Sequence, residues 1–382
     1  MRERRAGVWE VRVALGPDLV SGRSRYRSVT IHGDRAAADA ARARWAAKAE
    51  LVRSTGRSRP GVTVGRLLSE WLVADHDWKP STVSGYRSVV KFLTGDRIAA
   101  RRAVDLTPKV MTALCAGWRT LGCPEPTVSG RVRVLRSALG WAHLEGILDV
   151  FPLDGMHGPP HAGVRLHVPV DQVRAILDCA RSQVDYLEVL SASTGGPTAS
   201  GLHRAEQILL LTRLAADSGA RRGELAALQI GDLDGDVLTI ARAASMEIIG
   251  PTKTRRIRRL TLGAAAAALW RDTAERWRQR ANDNTEFGPW LFSAHLDHQT
   301  RLTTSCLAHW FGALTADAGY PEVTLHRLRH SVATALVSRG DILQAQYRLG
   351  HKDAATTLRT YSHVLPLTDA DAAATLDRLY QE

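Results

Sequence analysis

Two short runs near the carboxyl end hold the residue types from which a reaction can be read. They are TLHRLRHSVATALVSRG from Thr324 and LGHKDAATTLRTYSH from Leu349 to His363. His326 and Arg329 stand three apart, so on a helix they project side by side. Gly350, His351 and Tyr361 follow, and upstream lie Arg221 and Glu224 in SGARRGEL and Lys253 in GPTKTRR. Packing gives no reason to gather cations, imidazoles and a phenol in this way. Attack of a phenolic oxygen on a phosphodiester does. In its pentacoordinate transition state charge grows on the non-bridging oxygens, and two guanidiniums meet them with several donors each. Arg221 and Arg329 suit that task. An unperturbed tyrosine ionises near pH ~10, so Tyr361 as nucleophile needs local positive charge or a base. The departing 5′ oxygen needs a proton. Lys253 is the expected acid, with His326 assisting proton transfer and His351 donating to a phosphate oxygen. Glu224 is expected to orient Arg221 rather than react.

Each piece alone is common: an HxxR pair is more often a surface feature, a tyrosine more often packing. Their order is specific. SGARRGEL, PTKT before a strand, HRLRH and LGHKDAATTLRTYSH together resemble the tyrosine recombinases of the phage-integrase type (lambda-integrase-like). That pattern has Arg in a G-x-R-x-x-E box, Lys in a β-turn, H-x-x-R, LGH and a terminal Tyr. Gly219, Arg221, Glu224, Lys253, His326, Arg329, Gly350, His351 and Tyr361 occupy its positions over roughly 170–365. The resemblance implies a site-specific integrase that cuts and rejoins double-stranded DNA through a 3′-phosphotyrosyl intermediate. It further implies a C-shaped clamp, a homotetramer on a Holliday junction, and a tail after Pro366 that packs as a helix on a neighbour. Accessory DNA-bending factors are compatible partners. A dimer resolvase or a type IB topoisomerase-like relaxing enzyme would use the same chemistry. A silent DNA-binding regulator is the alternative of another class, against which the intact nucleophile and arginines speak.

The elements that must position these residues follow from pattern. Thr324 suits an N-cap, with Leu325, Leu328, Val332, Ala335 and Leu336 as an apolar face and Gly340 as the stop. Asp353 caps the helix that carries Tyr361. The expected fold is multidomain and mainly α with small antiparallel sheets (α+β). Residues 1–60 read as a β-β-β-α module resembling an arm-DNA-binding domain, its linker included. Arg12, Arg23, Arg25 and Arg27 on its strands could face phosphates. Residues 61–152 read as a helical core-DNA-binding domain. Thr63, Pro80, Thr107-Pro108 and Thr127 open its helices, and Arg131, Arg133 and Arg136 lie off the apolar stripe of Val128, Val132, Leu135 and Leu139. Residues 153–169 form a Pro/Gly linker whose His157, His161 and His167 have no metal-site spacing. Residues 170–382 form the catalytic domain, with a loop over 191–201, a buried helix over 208–216, and strands over 237–241 and 256–262. GDLDGD has the opening of a calcium loop but Ala243 where the closing Glu belongs, so it reads as a turn.

Composition sets the outer bounds. With 382 residues, 45% of them hydrophobic, the chain can bury two or three cores. A net charge of +12 and a pI near 10.0 fit a polyanionic partner. Arginine supplies nearly all of that charge. Only six lysines occur, and Lys253 is alone between Lys109 and Lys352, as suits a position where a transferable proton matters. Four scattered cysteines suit a reducing compartment. The absence of a signal or spanning segment suits a cytoplasmic, nucleoid-associated protein. Residues 191–201 lack a P-loop lysine, which sets nucleotide hydrolysis aside. No metal and no cofactor are expected, because no acidic cluster is present to hold Mg²⁺.

Overall fold

The computed structural model describes residues 1–5, 7–17, 24–43, 59, 61–156, 167–194, 199–246, 248–252, 256–281, 286–351, 353–361, 373 and 377–378. The chain divides into two compact units, Met1–Gly163 and Val164–Glu382.

In the first unit, β1 (Arg2–Arg5), β2 (Val8–Pro17) and β3 (Ser24–His32) form an antiparallel sheet in the order β1-β2-β3. Asp34 opens the helix over 35–43, its Oδ1 accepting from Ala37 N at 2.8 Å. The core of this piece is small, with Val11 and Ala38 buried beside Trp9 and Ile31. Arg12 is exposed, whereas Arg23 lies outside the described residues.

Four helices follow: α1 (Val64–Val73), α2 (Pro80–Gly95), α3 (Pro108–Thr120) and α4 (Glu125–Leu144). Thr63 and Thr107 cap α1 and α3 as their types suggest, and α4 opens two residues before Thr127. The stripe of Val128, Val132, Leu135 and Leu139 packs with Leu68, Trp71, Leu93 and Met111. Two of the α4 arginines expected to lie off that stripe are structural. Arg131 is 8% exposed, its guanidinium 3.4 Å from the centre of the Phe92 ring and Nη1 3.1 Å from Cys123 Sγ. Arg136 donates to the Met156 carbonyl at 2.7 Å. Only Arg133 is exposed. Leu153 is fully buried in this core with Phe151 and Met156 against it, so the start of the expected linker belongs to the bundle. His157 and His161 lie outside the described residues, and His167 is exposed.

The second unit is built on α5 (Val170–Thr194) and α6 (Ala199–Ser218). The loop expected over 191–201 is helix wherever it is described: α5 runs to Thr194 and α6 starts at Ala199, and residues 195–198 lie outside the described residues. α6 is buried nearly all round, so its polar side chains need partners. Glu206 receives Arg276, Arg280 and the Trp277 indole, and Gln207 bonds both N and O of Ser293. After α7 (Arg222–Leu225), the strands β4 (Leu233–Asp234) and β5 (Val237–Ile240) pair with β8 (Arg258–Thr261) in the order β4-β5-β8. Between them lies a hairpin not read from the sequence, β6 (Arg242–Ser245) with β7 (Ile248–Pro251). Asp232 of GDLDGD bonds Arg242 at 2.6 Å and the Gln229 amide, as a turn does. The unit ends with α8 (Ala264–Arg280), α9 (Thr304–Asp317), α10 (Leu325–Val337), α11 (Ile342–Leu349) and α12 (Ala354–Tyr361). Among the described residues no helix is long and apolar enough to cross a membrane.

Candidate active site

The site is assembled around the turn between α11 and α12. Thr324 caps α10 through Arg327 N, as its type suggests, but the buried face of α10 differs from the apolar pattern. Leu325, Leu328, Arg329, His330, Ala333 and Val337 are buried, while Ala335 is exposed and Val332 and Leu336 are half-buried. The helix is rotated because its polar residues bond inward. Arg329 Nη1 donates to the Gly219 carbonyl and Nη2 to the Leu349 carbonyl, both at 2.6 Å. Arg221 Nη2 donates to the next carbonyl, Gly350 O, at 3.2 Å. Two consecutive carbonyls at the end of α11 thus hold the two guanidiniums. Burial, and then the charge of Arg221, bring Arg329 down to about 9, so it stays protonated at neutral pH.

The backbone turn that aims those carbonyls requires glycine. Gly350 has φ 63°, and a Cβ there would lie 2.6 Å from Arg258 Nη1. Gly223 is needed for a different reason: its Cβ would collide with the Ala244 carbonyl of β6, which crosses closely over α7.

Glu224 is fully buried and accepts four N–H donors. Arg221 supplies its amide at 2.8 Å and Nη1 at 2.8 Å, and Arg258 supplies Nη1 at 3.0 Å and Nη2 at 2.7 Å. Burial alone raises a carboxyl group, but here the Arg258 and Arg221 bonds prevail and hold Glu224 at about 2. The carboxylate is saturated by donors, so it orients Arg221 and has no capacity left to react.

His351 follows Gly350, with Nδ1 2.9 Å from Thr357 Oγ1. Burial, then the charges of Arg329, Arg221 and Arg258, push it down to about 4, so the ring is neutral near pH 7. Asp353 caps α12 through Thr356 N at 2.8 Å. Tyr361, at the end of α12, is 4% exposed and packs on Ala333, Val337, Ala345 and Leu349. Its hydroxyl meets His330 Nδ1, and its charge, when present, acts on Arg329. Lys253 lies outside the described residues. On either side of it Thr252 and Arg256 are bonded to each other, Thr252 Oγ1 accepting from Arg256 N at 3.1 Å and donating to Arg256 O at 2.9 Å.

Residues 171–367, more than half of the chain, match the phage integrase family. The chain belongs to that family. As a phage integrase family member it is a tyrosine-type site-specific recombinase, and the resolvase, relaxing-enzyme and silent-regulator readings are not favoured. It is 28% identical over 287 residues to the tyrosine recombinase XerC of Mycobacterium leprae, covering 73% of this chain and 85% of that protein. Solved integrase structures share its fold. The Tn1549 transposon integrase in complex with a circular intermediate DNA matches with TM-score 0.65 at 17% identity, over 83% of this chain and 99% of that one. A lambda integrase tetramer bound to a Holliday junction matches with TM-score 0.57 at 18% identity, over 96% of this chain and 99% of that one.

Of the residues this family member was expected to use, the structure brings together Arg221, Glu224, Arg329, His351 and Tyr361. His326 is on the same helix as Arg329 but exposed. Two residues escaped the sequence reading. His330, one turn after His326 in HRLRH, was visible as an i, i+4 pair of imidazoles. Arg258 alternates with Leu260 on β8 and shares its buried face, a period-2 signal masked by the arginines around it.

Proposed function

We propose that this recombinase integrates or excises a mobile element, with Tyr361 attacking a DNA phosphodiester to form a 3′-phosphotyrosyl link. Arg221 and Arg329 hold the non-bridging oxygens as charge grows on them. The carrying observation is that successive carbonyls of the LGH turn fix both guanidiniums, while Glu224 fixes Arg221 from its other side. Donors held before the substrate arrives need no reorganisation during reaction. Neutral His351 donates from Nε2 to a phosphate oxygen, with Thr357 donating to Nδ1 to set that tautomer. Lys253 protonates the 5′ oxygen and His326 assists proton transfer. Residues 1–60 act as an arm-binding module, the helical bundle from 61 through Met156 as the core-binding domain and 170–382 as the catalytic domain. The working assembly is a homotetramer on double-stranded DNA at the nucleoid, aided by DNA-bending factors. The net charge of +12 supports this partner.

The test begins with footprinting the protein on DNA flanking its own gene, then building a nicked suicide duplex from the protected site. Tyr361→Phe should abolish the covalent adduct with DNA affinity near wild type. Undiminished adduct in that variant overturns the assignment of the nucleophile.

A further inference from the structure

The expected residues leave one step without an agent: the phenol must lose its proton as it attacks, and neither guanidinium can take it. We propose that His330 is a catalytic residue, the base that receives the Tyr361 proton and passes it to His326. This rests on Tyr361 being the nucleophile.

The geometry is a continuous line of hydrogen bonds. Tyr361 Oη meets His330 Nδ1, and His330 Nε2 lies 3.1 Å from His326 Nε2. The two imidazoles stand one helical turn apart on α10, their ring centres 4.6 Å apart and nearly perpendicular, and the His330 and Tyr361 rings are 5.6 Å apart. His330 is buried and His326 exposed, so the line runs from the covered phenol to solvent. A hydrogen bond between two ring nitrogens needs one proton between them. With that proton on His330 Nε2, Nδ1 is an acceptor and the phenol donates to it.

Transfer then balances. The Tyr361 O–H bond breaks as Nδ1–H forms on His330; His330 Nε2–H breaks as Nε2–H forms on His326. The phenolate oxygen forms its bond to phosphorus, the 5′ oxygen leaves with a proton from the general acid, and His326 holds the added positive charge at the surface. Rejoining runs the line backward, returning the proton to Tyr361 as its ester is displaced. Burial supports the direction. A phenolate formed beside Ala333, Val337 and Leu349 has little water to stabilise it, whereas His326 can be solvated as a cation. Arg329 of α10 itself faces this line, the charge of Tyr361 acting on it.

His330→Asn keeps an acceptor near the Nδ1 position but cannot take a proton. On the nicked duplex, wild-type protein must first give an adduct that maps to Tyr361; no adduct there overturns the nucleophile reading itself. Given that adduct, H330N should slow its formation roughly 10²- to 10⁴-fold, the usual worth of general base catalysis, with DNA affinity unchanged. Trifluorotyrosine at position 361 lowers the acidity barrier of the phenol, so with it the gap between H330N and wild type should shrink at least tenfold. An H330N rate equal to wild type, or faster, overturns the inference; a faster rate makes the bond a restraint on the nucleophile. A gap that fluorination leaves unchanged also overturns it, because a purely structural role is indifferent to phenol acidity.

Discussion

Replacing Glu224 with glutamine probes the site at its most connected point. The side chain keeps its shape, but the carboxylate that accepts four N–H donors becomes neutral and presents an NH₂ to two of them. Arg258, 2% exposed, then loses its counter-charge. Breaking a buried ion pair from one side costs about 3–5 kcal/mol. Linkage gives a similar figure: a carboxyl held at about 2 against an ordinary 4.5 is worth roughly 3 kcal/mol. In a unit of this size 1 kcal/mol moves Tm by about 2–4 °C, so E224Q should lower the Tm of the catalytic unit by roughly 10 °C in calorimetry at neutral pH. Because the folded carboxyl lies below its unfolded value, this contribution is complete above 4.5 and is lost as pH falls from there toward 2. Wild type and E224Q should therefore converge in acid. The double variant E224Q/R258M removes the unpaired Arg258 charge and should recover part of the loss, with a coupling of about 0.5–3 kcal/mol. A Tm for E224Q within a degree of wild type, or a double variant equal to the sum of the singles, refutes the reasoning.

Four further outcomes follow from the same geometry. Gly350→Ala forces a positive φ on a residue with a Cβ and drives it into Arg258; urea unfolding should show a loss of about 1–3 kcal/mol, and the adduct rate should fall further as the carbonyls under Arg221 and Arg329 shift. His203, buried and pushed down to about 3 chiefly by burial, is neutral when folded and protonated when unfolded below about 6.5; stability should fall as pH drops from there toward 3, and His203→Gln should flatten that slope by roughly 5 kcal/mol across the window. Arg131→Met should lower bundle stability while leaving the salt dependence of DNA binding unchanged, whereas Arg133→Ala should reduce that dependence if it meets a phosphate. Lys253→Ala should slow cleavage, and a 5′-phosphorothiolate substrate, whose leaving group needs no proton, should restore the rate; no rescue moves the acid role to His326.

The sequence by itself determined the reaction and most of the local structure. Residue type and order picked out Arg221, Glu224, Arg329, His351 and Tyr361. Caps at Thr63, Thr107, Thr324 and Asp353 were legible because a capping side chain bonds an amide only two or three residues away. Tertiary structure alone decided what depends on distant carbonyls and buried charge. The rotation of α10 could not be read from Val332, Ala335 and Leu336, since Arg329 turns inward to carbonyls at Gly219 and Leu349. The inward turn of Arg131, the Arg258–Glu224 pair and the His326–His330–Tyr361 line were hidden for the same reason. Periodicity records which residues avoid water, but a polar group enters the interior only where the folded chain brings it a partner, and that partner is remote in sequence.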